Sequence, residues 1–350
     1  MRHKLLAALL ISTILLIVVS GYAQTNRKTG IAGASILKVG VGAKAVAIGS
    51  AVTTITGDVN QLFWNPAGIS LPDGKTQVTF SYNQWIADLN HNAFAVGHSF
   101  GKWGTVALGG MMSGVDDIPA IRDLQPGLKD VEYATSETFG YNATVIGLSY
   151  AKQFTDKLSM GLTAKYYGEK IDVETISAFA VDFGAIYFIG YRDLAIGARI
   201  QNIGSALKYY YVPFSLPIMF SFGTSMSMIK SDVLDLKGLV DIAKPIDGEQ
   251  MVQTGVEATL VKNIFFRTGY KFNYQGIKDK FGARNSYQRI ENVTRDHWWD
   301  QKEYARTDEG LSFGVGIQLP YDQYTLCIDY TNTSFSLLDN VNRFSLSFKF

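Results

Sequence analysis

The residues able to do chemistry are few and poorly grouped. Gly40-Val41-Gly42-Ala43-Lys44-Ala45 imitates a phosphate-cradling glycine loop. Such a loop needs a strand before it and a βαβ unit with an acidic partner after it, and neither surrounds this one. It reads as a tight turn. His3 lies in the leader, which leaves His91, His98 and His297. No two have metal-ligand helix spacing, and the only cysteine, Cys327, is distant. They read as surface or interface histidines. His98 shares strand parity with Phe94, Val96 and Phe100, so it faces outward, where a serine on a neighbouring strand would make a lipid-hydrolase pair. Catalysis also needs a third, positioning group, and none is identifiable. The expectation is a protein that is not an enzyme, with no catalytic, cofactor or metal site.

One segment has the composition of a binding surface. Residues 275–309 mix Lys278, Lys280, Arg284, Arg289 and Arg295 with acidic residues and the trio His297-Trp298-Trp299. Trp298 and Trp299, with Arg289 and Arg295, are the candidate anchors for a partner protein, since buried aromatics dominate interfaces. The alternative is a solvated cap folded on itself over a barrel mouth. Tyr209-Tyr210-Tyr211 either extends that surface or belongs to an outer aromatic girdle.

The elements that would carry these residues are strands. The chain ends in Phe344, Leu346, Phe348 and Phe350 on one strand face, with Arg343, Ser345, Ser347 and Lys349 on the other. An apolar face opposite a polar one at period two needs lipid on one side and water on the other. Phe348 and the terminal Phe350 would mark the strand tip for barrel assembly at a membrane interface. Fourteen such segments can be marked: 76–84, 91–100, 103–112, 138–154, 157–168, 177–189, 193–202, 216–228, 234–243, 250–260, 263–274, 310–319, 322–332 and 341–350. Most have the length of a tilted spanning strand. The segment 138–154 changes phase near Val145-Ile146, which predicts a bulge.

Alternate joins differ in length. Those around Gly101-Lys102, Thr155-Asp156, Gly190 to Arg192, Ile229 to Val233, Val261-Lys262 and Pro320-Tyr321 are short, whereas 113–137, 169–176, 203–215 and 275–309 are long. Short periplasmic turns and long extracellular loops are the outer-membrane pattern. Arg199, mid-segment, would cost roughly 2–4 kcal/mol facing lipid and little facing a wet lumen. With Gln201, Asp182, Lys271, Arg267 and Asp329 it is assigned to the lumen, as a wet channel or as a sealed polar interior.

Composition agrees. Gly 34, Tyr 19 and Phe 21 in 350 residues are high for a soluble enzyme and suit aromatic girdles and tight strand packing. Residues 1–23 read as a secretory signal, with Arg2 and Lys4 before an apolar stretch from Leu5 to Val19 and a Gly21-Tyr22-Ala23 cleavage site. Cleavage leaves 30 Lys+Arg against 31 Asp+Glu, close to neutral, which argues against a nucleic-acid partner.

Residues 24–75 break the alternation. They hold Gly33-Ala34-Ser35-Ile36-Leu37-Lys38-Val39 running into Gly40 and Gly42, then Gly49 and Ala51, then Asp58 and Trp64-Asn65-Pro66-Ala67-Gly68. Asp58 suits the cap of a short helix that Asn65-Pro66 would end. The segment reads as a hatch inside the lumen, ahead of a barrel over 76–350. Gly40, Gly42, Trp64, Asn65, Pro66, Ala67 and Gly68 are its motif. Residues 33–68 resemble the PorV/PorQ family of outer-membrane proteins of Bacteroidetes, and Asn65 to Gly68 is similar to the hatch of the broader FadL family. The resemblance implies a fourteen-stranded barrel with an N-terminal hatch in the bacterial outer membrane. It also implies one of two roles. The first is an accessory barrel in type IX-like protein secretion or surface assembly, whose partner is a translocon or surface protein. The second is a FadL-like channel for a hydrophobic ligand, which needs an apolar pocket between hatch and wall and a lateral exit, with the phase change at Val145 as the candidate.

Overall fold

The computed structural model describes residues 31–350 apart from 73, 87–88, 121, 124–132, 135–136, 210, 249, 274–308 and 336–339. The leader at 1–23, Tyr210, and the loop residues Arg289, Arg295, Trp298 and Trp299 lie outside the described residues.

Fourteen antiparallel strands close into one barrel. They are β1 (Thr76–Gln84), β2 (Asn90–Ser99), β3 (Thr105–Pro119), β4 (Thr138–Thr155), β5 (Leu158–Ile171), β6 (Glu174–Phe188) and β7 (Ala195–Gly204). Then follow β8 (Met219–Lys230), β9 (Leu234–Pro245), β10 (Met251–Leu260), β11 (Ile264–Asn273), β12 (Ser312–Tyr321), β13 (Tyr324–Ser334) and β14 (Asn340–Lys349). Each pairs with the next, and β14 closes the ring on β1 with Gln77 opposite Lys349 and Gln84 opposite Asn342. Closure leaves no strand edge unpaired in a medium without water.

The alternation decides what faces where. On β14, Phe344, Leu346 and Phe348 point outward, while Arg343, Ser345 and Ser347 are buried inside. On β7 Arg199 and Gln201 are inside, until a register shift at Asn202 turns Ile203 outward. Phe80, Phe94, Leu108, Leu148, Leu162 and Phe222 extend the outer apolar belt. Phe100, Trp103, Phe154, Tyr191, Tyr321 and Phe350 form an exposed aromatic rim at the short-turn end. No helix among the described residues is long and apolar enough to cross a membrane; the crossing is made by strands.

Three expectations need correction. The bulge at Val145-Ile146 does not form: β4 runs in register with β3 from Ala151 to Tyr141, and the shift lies between Val115 and Ile118 on β3. A second shift lies between Gln153 and Thr155. Both faces of β4 are apolar at this level because Val145 points inward onto the hatch, so the period vanishes without the backbone changing. The join at 169–176 is not long: β5 and β6 continue until Ile171 pairs with Glu174. Asp172 takes the turn at φ 53, the left-handed region that short polar residues tolerate. Within 113–137, β3 continues to Pro119, and Arg122–Asp123 pairs with Tyr133–Ala134 as a small separate ribbon.

Residues 33–71 sit inside the barrel. Short 3-10 turns at Ser35–Lys38, Val59–Phe63 and Pro66–Ile69 and one helix, α1 (Ala43–Ala47), carry the chain from the extracellular end down to β1. Asp58 caps the second turn by accepting from Asn60 N–H at 2.9 Å.

Candidate functional site

The hatch motif residues are brought together as joints of a folded plug. Gly42, at φ +88, turns the chain into α1. The Trp64 Nε1–H donates to the Val41 carbonyl at 2.9 Å, which ties the Gly40–Gly42 turn to the later half of the motif. Asn65 does two jobs: its Nδ2–H donates to the Thr53 carbonyl at 2.6 Å, and its Oδ1 accepts from Ala67 N–H at 3.1 Å. Pro66 stands at the first position of the following 3-10 turn, where its missing N–H costs nothing. Ala67 gives its carbonyl to the Ser159 hydroxyl at 2.8 Å. Gly68 passes so close to Ile55 that a Cβ would lie 2.2 Å from its carbonyl oxygen.

The wall is shaped for this plug. Gly97 and Gly109 lie under Val59 and Leu62, Gly161 and Gly184 under Pro66 and Asn65, and Gly197 under Thr53. Gly255 and Gly269 lie against Ile48 and Gly49. A strand glycine commonly marks the close approach of another backbone. The glycine content therefore serves an inner belt that makes room for the hatch.

Charges hold the remaining contacts. Thr53 donates its N–H and its hydroxyl to Asp241 at 2.9 and 2.6 Å. Arg199, buried on β7, lies over the Trp64 ring at 5.3 Å. Lys165 pairs with Asp182, which also accepts from Asn202 N–H at 2.7 Å where β6 and β7 slip register. Arg267 bridges Glu257 at 2.6 Å and Asp329 at 2.5 Å. Lys38 reaches Asp247 in the β9–β10 loop and so ties the hatch to the extracellular rim.

The lumen is not uniform. In the extracellular half of β2–β6 the inner wall carries an apolar cluster beside the polar His91, Ser113 and Glu169: Ala93, Met111, Val145, Ile176, Ala178 and Ala180 gather with Ala34, Ile36 and Val41 of the hatch and with Leu207 and Leu216. On β8–β14 the inner face is polar, with Ser221, Asp241, Gln253, Arg267, Thr331 and Arg343. Two cavities between hatch and wall measure about 20 Å³, beside Lys44, Asp58 and Asp329, and about 10 Å³, beside Gly40, His91 and Arg343.

Other expected residues fall elsewhere. His98 faces outward beside Phe100, with Thr76 Oγ1 at 2.8 Å from its Nδ1. His91 is not a surface histidine; it is buried in the lumen. Tyr209 does not stand in a girdle. It turns in from the β7–β8 loop to donate to Glu169, which also accepts from Tyr167. Burial and that carboxylate push the Tyr209 phenol up from its ordinary value. Tyr211 is exposed. Residue parity on β1, β2 and β14 would have found the buried row of Asn83, His91 and Arg343, since all three stand on the inward side of clean alternations.

The fold and its internal hatch define a class, that of outer-membrane barrels plugged from within. Solved structures of the same shape include the Ralstonia pickettii toluene transporter TbuX, at 11% identity over 89% of this chain and 97% of that one, with a TM-score of 0.50. The CymD monoaromatic hydrocarbon channel gives 11%, 89%, 97% and 0.55. A Pseudomonas aeruginosa FadL homologue gives 11%, 89%, 98% and 0.52. At such identities the likeness is one of fold. No protein-family model matches the chain, and no curated protein matches it. The chain has the fold of the FadL-type channels, a closed fourteen-stranded barrel like those of bacterial outer-membrane proteins.

Proposed function

We propose that the protein is a channel for hydrophobic small molecules, closed in this state by its hatch. The apolar cluster on the inner wall of β3, β4 and β6 carries this reading. Val145, Ile176 and Ala178 form a surface that a wet pore would not need, and it runs inward from the extracellular side where Ala34 to Val41 now covers it. The barrels of like fold named as a toluene transporter and a monoaromatic hydrocarbon channel support the same role. Withdrawal of the Ala34–Val41 segment would free the track. Purified barrel in lipid vesicles should pass or bind a hydrophobic fluorescent probe, and Ile176→Asn, checked for folding by its heat-shifted gel band, should reduce this several-fold. Folded wild-type protein that performs no better than empty vesicles would end the proposal.

A second reading is an accessory barrel for protein secretion or surface assembly, of the PorV/PorQ type. The residue run over 33–68 and the tight seating of the hatch in a glycine-lined wall favour it. Purification in mild detergent should then recover a large translocon or surface protein with the barrel; recovery of the barrel alone, under conditions that keep other complexes intact, counts against it. In either role the barrel does no covalent chemistry, and wild-type protein should show no esterase activity on lipid substrates that His98→Ala abolishes.

A further inference from the structure

The last, first and second strands of the barrel place three polar side chains in one inward row. Arg343 on β14 stands directly opposite Asn83 on β1, and Asn83 directly opposite His91 on β2. All three are more than nine-tenths buried. Arg343 spends one nitrogen on Thr333, with Nη1 donating to Oγ1 at 2.9 Å. Its Nε and Nη2, both side-chain atoms of Asn83 and both ring nitrogens of His91 have no hydrogen-bond partner. A buried polar group left this way is costly, and a buried charge more so. That so many converge on one spot calls for something that answers them.

The space they face is a cavity of about 10 Å³ between the wall and the Gly40–Gly42 turn of the hatch. Ser81, Ala93, Met111 and Phe344 also line it, and among the described residues that line it there is no Asp or Glu. The guanidinium lies over the Trp85 ring at 5.2 Å, and the same ring meets His91 edge-on at 5.4 Å and Phe335 at 5.0 Å. Glu309, a nearby carboxylate, is engaged by Lys271. The site therefore has one permanent cation, several N–H donors, aliphatic walls and room for about one water-sized particle. Glu309 acts on Arg343 only through its field, and a water in the cavity would satisfy donors without setting a negative charge against the guanidinium. A carboxylate- or phosphate-headed molecule is too large while the hatch is seated.

We infer that this cavity binds a small monovalent anion of the size of chloride. The anion bridges Arg343, Asn83 and His91 of the wall across the seam between the last and first strands, and it packs against the Gly40–Gly42 turn, so it fastens the hatch. The inference stands whether or not the barrel conducts hydrophobic molecules.

The test uses the full barrel in detergent, at constant sodium and ionic strength, with chloride exchanged for gluconate. The temperature at which the folded gel band converts to the unfolded one should rise with chloride along a saturating curve. Bromide should replace chloride, and Arg343→Gln should convert at one temperature whatever the anion. Should Arg343→Gln not fold, Asn83→Leu serves instead and should weaken the apparent affinity at least several-fold. In crystals grown with bromide, an anomalous peak should lie within hydrogen-bonding distance of Arg343 Nη2. Coincident chloride and gluconate curves for the wild type, or no bromide peak at the row, would overturn the inference and leave the cavity to water.

Discussion

Thr53 of the hatch places its backbone N–H and its hydroxyl on one oxygen of Asp241 of the wall, at 2.9 and 2.6 Å. Both residues are buried, and the carboxylate faces the Arg199 guanidinium through the field they share. Hydrogen bonds to a charged group are each worth about 1.5–3 kcal/mol. Thr53→Val keeps the shape and the N–H but removes the hydroxyl. It should loosen the hatch by about that amount, read as faster hydrogen exchange over residues 50–56 with the strands unchanged. Equal exchange in variant and wild type would mean that this contact does not seat the hatch.

The glycine belt makes a sharper demand. At Gly255 a Cβ would stand 2.4 Å from the Ile48 carbonyl oxygen, a backbone atom with nowhere to go. At Gly238 the same atom would meet only the flexible end of Met228, at 3.2 Å. Gly255→Ala should therefore give a barrel that still shows heat-modified mobility but exposes hatch residues to protease. Gly238→Ala should behave as wild type. Protection of the hatch in both would refute the account of why these positions lack a side chain.

The two faces of β7 should tolerate charge very differently. Arg199 points inward beside Trp64, while Ala198 points to lipid. Ala198→Arg near mid-depth should destabilise the barrel by roughly 2–4 kcal/mol, measured by denaturant unfolding in lipid vesicles. Gln201→Arg, on the inward side, should not suffer the lipid penalty. Equal losses at both positions would contradict the facing of the strand.

Phe350 closes the seam. Its N–H donates to the Thr76 carbonyl at 2.9 Å, and its carbonyl accepts from Thr76 N–H at 2.7 Å. Its ring joins Phe348 and Tyr324 at the periplasmic rim. Deleting Phe350 removes both backbone bonds and the rim aromatic. The fraction of protein reaching the heat-modifiable form in cells should drop, while Phe350→Tyr should restore it. Full assembly of the deletion would show that Phe350 plays no part.

Much of this architecture is written locally. Successive side chains of a strand point to opposite faces, so Phe344, Leu346 and Phe348 declare lipid and Arg343, Ser345 and Ser347 declare lumen without reference to any neighbour. The lumenal placing of Arg199, Asp182, Arg267 and Asp329 follows in the same way. The local rule fails where the inside is not wet. Val145 is apolar because Ile36 and Val41 cover it, and that resembles a change of phase until the plug is in place. It also fails beyond the membrane, where β5 and β6 pair on to the turn at Asp172.

Facing is a property of one strand; register is a relation between two. Parity alone puts Arg343, Asn83 and His91 inside the barrel. The β1–β2 hairpin sets Asn83 beside His91, and only closure of the ring, which joins the last strand to the first, brings Arg343 to them. The same holds for Thr53 and Asp241, and for each wall glycine and the hatch atom it admits. The sequence by itself determined a membrane barrel with a plug, because the solvents on its two sides act on each residue separately. The tertiary structure decided what the plug touches, because contacts between distant segments depend on how many strands close the ring and at what stagger.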